Sequence, residues 1–139
     1  MNTKMKELLK EQEGLSLTPY KCTAGKLTIG YGYNLEEGIS ENVANILFDE
    51  SLAWVNQATS KLPWFNHLNE WRQGVVENMI FNLGLPRFMK FQRFIKYLEI
   101  GDFDKAANEM IESLWAKQVG IRAEHLSMIM RQGKYIKLN

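Results

Sequence analysis

The sequence has little of what builds disulfide frameworks and metal centres. It contains a single cysteine, Cys22, so no disulfide can form within the chain and stability does not require an oxidising compartment. Its two histidines, His67 and His125, are too few and too far apart in sequence to suggest a zinc site. The chain also lacks a phosphate-binding loop and a nucleophilic-serine motif. Neither a metal nor another cofactor is therefore expected.

Long apolar runs and an excess of one charge are missing as well. No apolar run approaches the roughly 18 to 20 residues that span a bilayer, so stable membrane insertion is not expected. The first twelve residues are too polar for the apolar region of a signal peptide, so export would need another route. A net charge of +1 gives no support for binding to nucleic acid. The 139 residues suffice for one domain with a sizeable core.

The most informative stretch begins at the end of a short predicted helix. Its apolar residues share one helical face: Met5, Leu8 and Leu9. Gly14 is typical of the residue that follows a helix. Glu13 is therefore placed in the last turn, where the negative end of the helix dipole favours the protonated carboxyl group. That property suits a general acid.

After Gly14 the spacing of apolar residues changes to a period of two, which is typical of strands. The turn composition of Thr23 to Gly25 predicts a hairpin whose second strand runs from Leu27 to Tyr33. In that strand Thr28, Gly30 and Gly32 would share one face that is almost free of side chains. Because glycines on one face of a strand let a ligand approach closely, we expect this face to form the floor of a groove.

The order and spacing of these residues resembles the lysozymes of tailed bacteriophages, of the T-even phage type. Eight residues separate Glu13 from Cys22 and five separate Cys22 from Thr28, which is the spacing of that family's catalytic Glu, Asp or Cys, and Thr. The run from Thr28 to Gly32 also matches. The resemblance implies hydrolysis of the β-1,4 bond between N-acetylmuramic acid and N-acetylglucosamine in peptidoglycan, with lysis of a bacterial host.

The resemblance also implies a role for each matching residue. Glu13 would be the acid, Cys22 and Thr28 would orient the attacking water, and Arg122 would support Glu13. A further set is expected to bind the glycan: Gly30, Gly32, Asn34, Phe81 and Asn82. Tyr33 stands where the family often has histidine, so any ion pair that depends on this histidine is in doubt.

Several alternatives stay open at this point. A free cysteine ordinarily behaves as a small buried hydrophobe, and Cys22 could be no more than that. The chain could be a catalytically impaired peptidoglycan-binding or phage structural module with the same fold. It could also be a lytic transglycosylase, which needs one acid and leaves anhydro ends. Whether Cys22 orients water or forms a covalent intermediate is equally undecided.

The predicted fold is α+β and lysozyme-like, in one domain. Residues 13–60 would form an N-terminal lobe with the hairpin and a connecting helix, which starts at Ser40 and has a break near Phe48. Residues 1–12 and 61–139 would form a lobe that is helical, with four helices in the second half of the chain. The resemblance further implies a monomer that stays in the host cytoplasm until a separate holin-type protein gives it access to the wall.

Overall fold

The computed structural model describes residues 1–138, and its internal contacts separate Met1–Leu47 from the residues that begin at Phe48. The prediction that residues 1–12 join the helical lobe of a single domain stays a prediction, and residue 139 lies outside the described residues. No helix within residues 1–138 is long and apolar enough to cross a bilayer.

The first unit begins with helix α1, Thr3–Glu13. The side chain of Asn2 caps its start by accepting a hydrogen bond of 2.9 Å from the Met5 N–H. Gly14 ends it, and the Gly14 N–H donates to the carbonyl oxygen of Lys10 at 2.8 Å. The prediction that Glu13 lies in the last turn of a helix is confirmed.

A three-stranded antiparallel sheet follows. Its strands are β1 Ser16–Lys21, β2 Leu27–Gly30 and β3 Tyr33–Asn34, in the spatial order β1-β2-β3. Thr28 lies at its centre, opposite Tyr20 on one side and Asn34 on the other. The register shifts between Ser16 and Tyr20, where Pro19 has no N–H to give to the ladder. This small sheet supports the lysozyme-like α+β prediction.

The prediction of one strand from Leu27 to Tyr33 is wrong, because β2 ends at Gly30 and the chain reverses before Tyr33. Gly30 has φ +67° and Gly32 has φ +77°, which is the left-handed region that glycine adopts without strain. Ile29 consequently pairs with Tyr33. The apolar alternation continues through the turn, so the sequence period gave no sign of the reversal.

Helix α2, Glu41–Thr59, has residues on both sides of the division between the units, and a 3-10 turn over Leu35–Glu37 precedes it. The Ser40 hydroxyl caps its start and accepts a hydrogen bond of 3.2 Å from the Val43 N–H. The predicted break near Phe48 is wrong, since the helix is continuous there. It contains neither glycine nor proline, so no residue interrupts its hydrogen bonds.

The second unit continues with helices around one apolar core. They are α3 Glu70–Leu83, α4 Leu85–Phe88, α5 Gln92–Ile100, α6 Phe103–Glu112, α7 Leu114–Val119 and α8 Ile121–Gln132. The side chains at the centre of this core are fully buried: Val76, Met79, Ile80, Phe88, Phe94, Met110 and Met130. Helix α3 faces this core with five buried residues: Val75, Val76, Met79, Ile80 and Leu83.

The described part of the chain has six α-helices after Pro63, besides a 3-10 turn over Phe65–His67, where four helices were predicted. A turn at Met89 and Lys90 separates α4 from α5, which the prediction counted as one helix. Ser113 separates α6 from α7, because its backbone is extended and its hydroxyl caps the next helix at the Ala116 N–H, 3.1 Å away.

The start of α3 is tied to the end of α8. Arg72 donates from Nε to the carbonyl oxygen of Met130 at 2.7 Å and from Nη2 to that of Arg131 at 3.0 Å. Its guanidinium lies 3.7 Å from the centre of the Phe103 ring. The last carbonyl groups of a helix have no hydrogen-bond donors within the helix. Arg72 supplies donors for two such carbonyl groups of α8.

Candidate active site

Glu13 is positioned by the end of α1 and lies against the backbone of Gly32. A β-carbon built on Gly32 would stand 2.5 Å from Oε2 of Glu13, so the carboxylate occupies the space that a side chain would take. Glu13 is otherwise exposed, as a residue that meets a substrate must be. The predicted role of Gly32 in glycan binding stays a prediction, and in this structure Glu13 covers the glycine.

Cys22 opens the turn between β1 and β2. Its N–H donates to the carbonyl oxygen of Lys26 at 2.9 Å, and its carbonyl oxygen accepts from the Gly25 N–H at 2.8 Å. Backbone hydrogen bonds from Lys26 and Ala24 lower the pKa of the half-buried thiol most. Burial opposes them, and a side-chain hydrogen bond with Thr28 lowers the pKa by less than burial raises it. The turn is therefore built to stabilise a negative charge at position 22.

Thr28 contacts this turn from the middle of the sheet. It is only 4% exposed, and its hydroxyl donates to the carbonyl oxygen of Lys26 at 2.8 Å. The hydroxyl is also close enough to the Cys22 thiol to lower its pKa slightly, and the catalytic roles of Cys22 and Thr28 stay predictions. Thr28 is not open to solvent, however, and the expected bare groove floor is not seen at this residue.

The remaining predicted residues of the first unit differ in their surroundings. Gly30 has no atom within 4 Å of a β-carbon built on it, so the space beside it is open. Asn34 uses its side-chain oxygen to cap the 3-10 turn, accepting from the Glu36 N–H at 3.0 Å. Tyr33, which stands in place of histidine, donates its hydroxyl to the carbonyl oxygen of Gly38. Asn34 and Tyr33 therefore order the segment that follows β3.

In the second unit, Arg122 is held by a residue that the sequence analysis missed. Its Nε and Nη2 donate to the side-chain oxygen of Asn78 at 2.9 and 2.6 Å. Asn78 precedes Phe81 and Asn82 by three and four residues in α3, so the three share a helical face. That spacing was the signal that could have identified Asn78. The pairing of Arg122 with Glu13 stays a prediction.

Phe81 and Asn82 have partners within the second unit. The Phe81 ring lies 5.7 Å from that of Phe48, and both side chains remain largely exposed. Asn82 accepts a hydrogen bond of 2.9 Å from Nε1 of Trp115, whose side chain is buried. Asn82 therefore has a structural task besides any contact with substrate.

The groups that could carry acid and base chemistry lie in the first unit. No three histidine, cysteine, aspartate or glutamate side chains among residues 1–138 come together as a metal site would require. The first unit has an exposed carboxyl group at a helix end and a thiol with a lowered pKa beside a hydroxyl. A carboxyl group and a thiolate are able to serve as an acid and a base, respectively.

Comparison with known proteins finds a matching family model and several similar proteins. A family model described as phage lysozyme matches residues 10–132. The chain is 30% identical over 132 aligned positions to an endolysin of Acyrthosiphon pisum secondary endosymbiont phage 1, which covers 90% of this chain and 87% of the endolysin. It is 26% identical to probable T4-type lysozyme 1 of Dictyostelium discoideum over 164 positions, covering 96% of each protein.

A further relative is a much longer protein. The pre-baseplate central spike protein Gp5 of Enterobacteria phage T4 is 30% identical over 162 aligned positions, which cover 95% of this chain but 28% of the spike protein. The chain therefore spans little more than a quarter of that relative.

Proposed function

Because the chain belongs to the phage lysozyme family, we propose that it is a glycoside hydrolase that cleaves the β-1,4 bond between N-acetylmuramic acid and N-acetylglucosamine in peptidoglycan. The observation that carries this proposal is the arrangement of the first unit. Glu13 lies at the end of α1 with its carboxylate against Gly32, and Cys22 contacts Thr28 at the spacing of the family's catalytic residues.

Each reacting group has a defined task in this proposal. Glu13 donates its proton to the glycosidic oxygen as the bond from that oxygen to the anomeric carbon breaks. Water attacks the anomeric carbon from the opposite side and gives its proton to the Cys22 thiolate. Because the hydrogen bonds at Cys22 lower the pKa of its thiol, they increase the fraction of thiolate near neutral pH. Thr28 fixes the position of the sulfur atom.

The competing route is direct attack of the Cys22 sulfur on the anomeric carbon, which gives a covalent thioglycoside and retention of configuration. We prefer activation of water, because a thioglycoside would hydrolyse slowly and trap the enzyme. NMR of the first-formed anomer distinguishes the routes. An α product from the β-linked glycan supports water attack, and a β product contradicts it.

The biological setting of the proposal is host lysis. The similarity to a protein named endolysin supports this setting. We propose that the protein acts as a monomer, stays in the host cytoplasm until a separate holin-type protein opens the membrane, and then binds the glycan strand. Nucleic acid is not among its proposed partners.

A second candidate function is supported by the similarity to the spike protein Gp5. In this alternative the chain is a phage structural or peptidoglycan-binding module with impaired catalysis, and cysteine at position 22 is the cause of the impairment. Such a module would bind purified peptidoglycan in a sedimentation assay without releasing new reducing ends.

The decisive experiment compares wild-type protein, Glu13→Gln and Glu11→Gln on purified peptidoglycan. Both glutamates are exposed residues of α1, so the two substitutions are chemically matched. Wild type and Glu11→Gln should lower turbidity and release reducing ends, whereas Glu13→Gln should do neither. Product masses that are one water lighter would indicate a lytic transglycosylase, and full activity of Glu13→Gln would exclude the proposed acid.

A further inference from the structure

We infer that Asn78 is a positioning residue that holds one edge of the Arg122 guanidinium so that the other edge binds a carboxylate. The inference rests on the proposed function, since the carboxylate belongs to the substrate glycan. Asn78 itself touches no reacting atom in this proposal.

The contact between the two side chains fixes the guanidinium. A single oxygen of Asn78 accepts from Nε at 2.9 Å and from Nη2 at 2.6 Å, and both residues are half-buried. A guanidinium has only donors, so the amide must turn its oxygen toward it. Because α3 carries Asn78 and α8 carries Arg122, two separate helices set the orientation of the arginine.

The choice of a neutral acceptor leaves the charge of Arg122 uncompensated. Among residues 48–138, no carboxylate forms an ion pair with Arg122. Two other arginines of this unit differ in that respect, since Arg93 lies 3.1 Å from Glu109 and Arg131 lies 3.3 Å from Asp104. The Nη1 edge of Arg122 points away from the atoms that Asn78 engages, and a guanidinium edge matches a carboxylate in geometry and charge.

The chain offers a matched control for this contact. Asn108 also accepts a hydrogen bond from an arginine, with its oxygen 2.7 Å from Nη2 of Arg131, and it lies outside the proposed site. Asn78→Asp and Asn108→Asp therefore make the same chemical change at two asparagine–arginine pairs. Asn78→Asp keeps or strengthens the bond to Arg122 and neutralises its charge, whereas Asn78→Ala releases the guanidinium.

The first readout is cleavage of peptidoglycan. Asn78→Asp and Asn78→Ala should each lower kcat/KM, by as much as about a hundredfold where the arginine no longer meets its carboxylate correctly. Asn108→Asp should stay within about twofold of wild type. A merely structural role for Asn78 predicts the opposite pattern for Asn78→Asp, because a stronger bond to Arg122 would preserve both stability and activity.

A further readout tests for the carboxylate and does not depend on catalysis. Binding is measured in the Glu13→Gln background with a tetrasaccharide that carries lactyl carboxylates and with a chitin tetrasaccharide that has none. Asn78→Asp should weaken binding of only the first tetrasaccharide, and Asn108→Asp should weaken binding of neither.

The inference is overturned if Asn78→Asp binds the carboxylate-bearing tetrasaccharide as tightly as Asn108→Asp does. A wild-type protein that fails to cleave peptidoglycan would overturn the proposed function alone, because the binding measurement would still decide the role of Asn78. Thermal unfolding of each variant identifies any loss that comes from misfolding.

Discussion

The carboxylate of Glu13 lies on the side of the Gly32 α-carbon where any other residue would carry its β-carbon. The gap between that β-carbon and Oε2 would be only 2.5 Å, and the carboxyl carbon would be 3.2 Å away. The position of the proposed acid therefore depends on the absence of a side chain nineteen residues later in the sequence. The left-handed backbone of Gly32 turns that bare α-carbon toward Glu13.

Replacing Gly32 with alanine should move Glu13 and reduce kcat. Gly38→Ala is the control, because Gly38 has a similar φ of +76° but open space around its α-carbon. Both variants should lose roughly 1–3 kcal/mol of stability in urea, which is the cost of a positive φ for a residue with a β-carbon. Only Gly32→Ala should also lose cleavage activity. Equal kcat values in the two variants would contradict the dependence of Glu13 on Gly32.

The Cys22 thiol should react with iodoacetamide at a lower pH than an ordinary thiol. The hydrogen bonds from Lys26, Ala24 and Thr28 lower its pKa, and the thiolate is the reactive form. Thr28→Val removes one of them and should raise the midpoint of the rate against pH, whereas Thr23→Val should not. An unchanged midpoint in Thr28→Val would show that the hydroxyl does not stabilise the thiolate.

The same lowered pKa gives the protein a pH-dependent stability. In the folded state the thiol releases its proton at lower pH than in the unfolded chain, so stability relative to Cys22→Ala should rise as the pH increases through the folded pKa. The gain should be complete above the pKa of the unfolded chain and lost as the pH falls. Urea midpoints of both proteins across this range measure it, and parallel curves would contradict the expectation.

Asn82→Ala should destabilise the second unit whether or not Asn82 binds glycan. The indole N–H of Trp115 donates to Asn82 at 2.9 Å, and the tryptophan is only 3% exposed. Removal of the acceptor leaves a buried donor unpaired, which costs roughly 1–3 kcal/mol. Asn82→Asp keeps an acceptor and should cost less. Equal urea midpoints for wild type and Asn82→Ala would show that water replaces the amide.

Glu77→Gln should stabilise the protein at neutral pH. Burial in α3 raises the pKa of the Glu77 carboxyl group, so its charged form is less favourable in the folded protein than in the unfolded chain. The two proteins should have equal stability at pH values where Glu77 is protonated in both states, and the advantage of glutamine should grow as the pH rises through the folded pKa. A difference independent of pH would indicate another cause.

Much of the fold was predictable because its signals are local in sequence. Asn69 and Asp102 cap α3 and α6 through hydrogen bonds of 3.0 and 3.1 Å to residues three positions later. Gly14 ends α1, and the spacing of Glu13, Cys22 and Thr28 identified the family. Each of these features depends on residue types within a few turns of a helix or strand.

The features that could not be predicted depend on backbone angles or on distant residues. The reversal between Gly30 and Gly32 left the apolar alternation unchanged, so only the φ angles distinguish it from a continuous strand. Asn78 and Arg122 are 44 positions apart, and no local pattern connects an asparagine in one helix with an arginine in another. The contact of Glu13 with Gly32 is equally invisible to periodicity.

The hydrogen bonds from Arg72 in α3 to the end of α8 also have a consequence for folding kinetics. Arg72 and Met130 are 58 residues apart, so their hydrogen bond closes a long loop and gains little until both helices are in place. We therefore expect it to form after the folding transition state. Arg72→Met should speed unfolding in stopped-flow experiments and leave the folding rate almost unchanged. The contact at the end of α8 would then slow unfolding and extend the lifetime of the folded protein, while the folding rate stays the same.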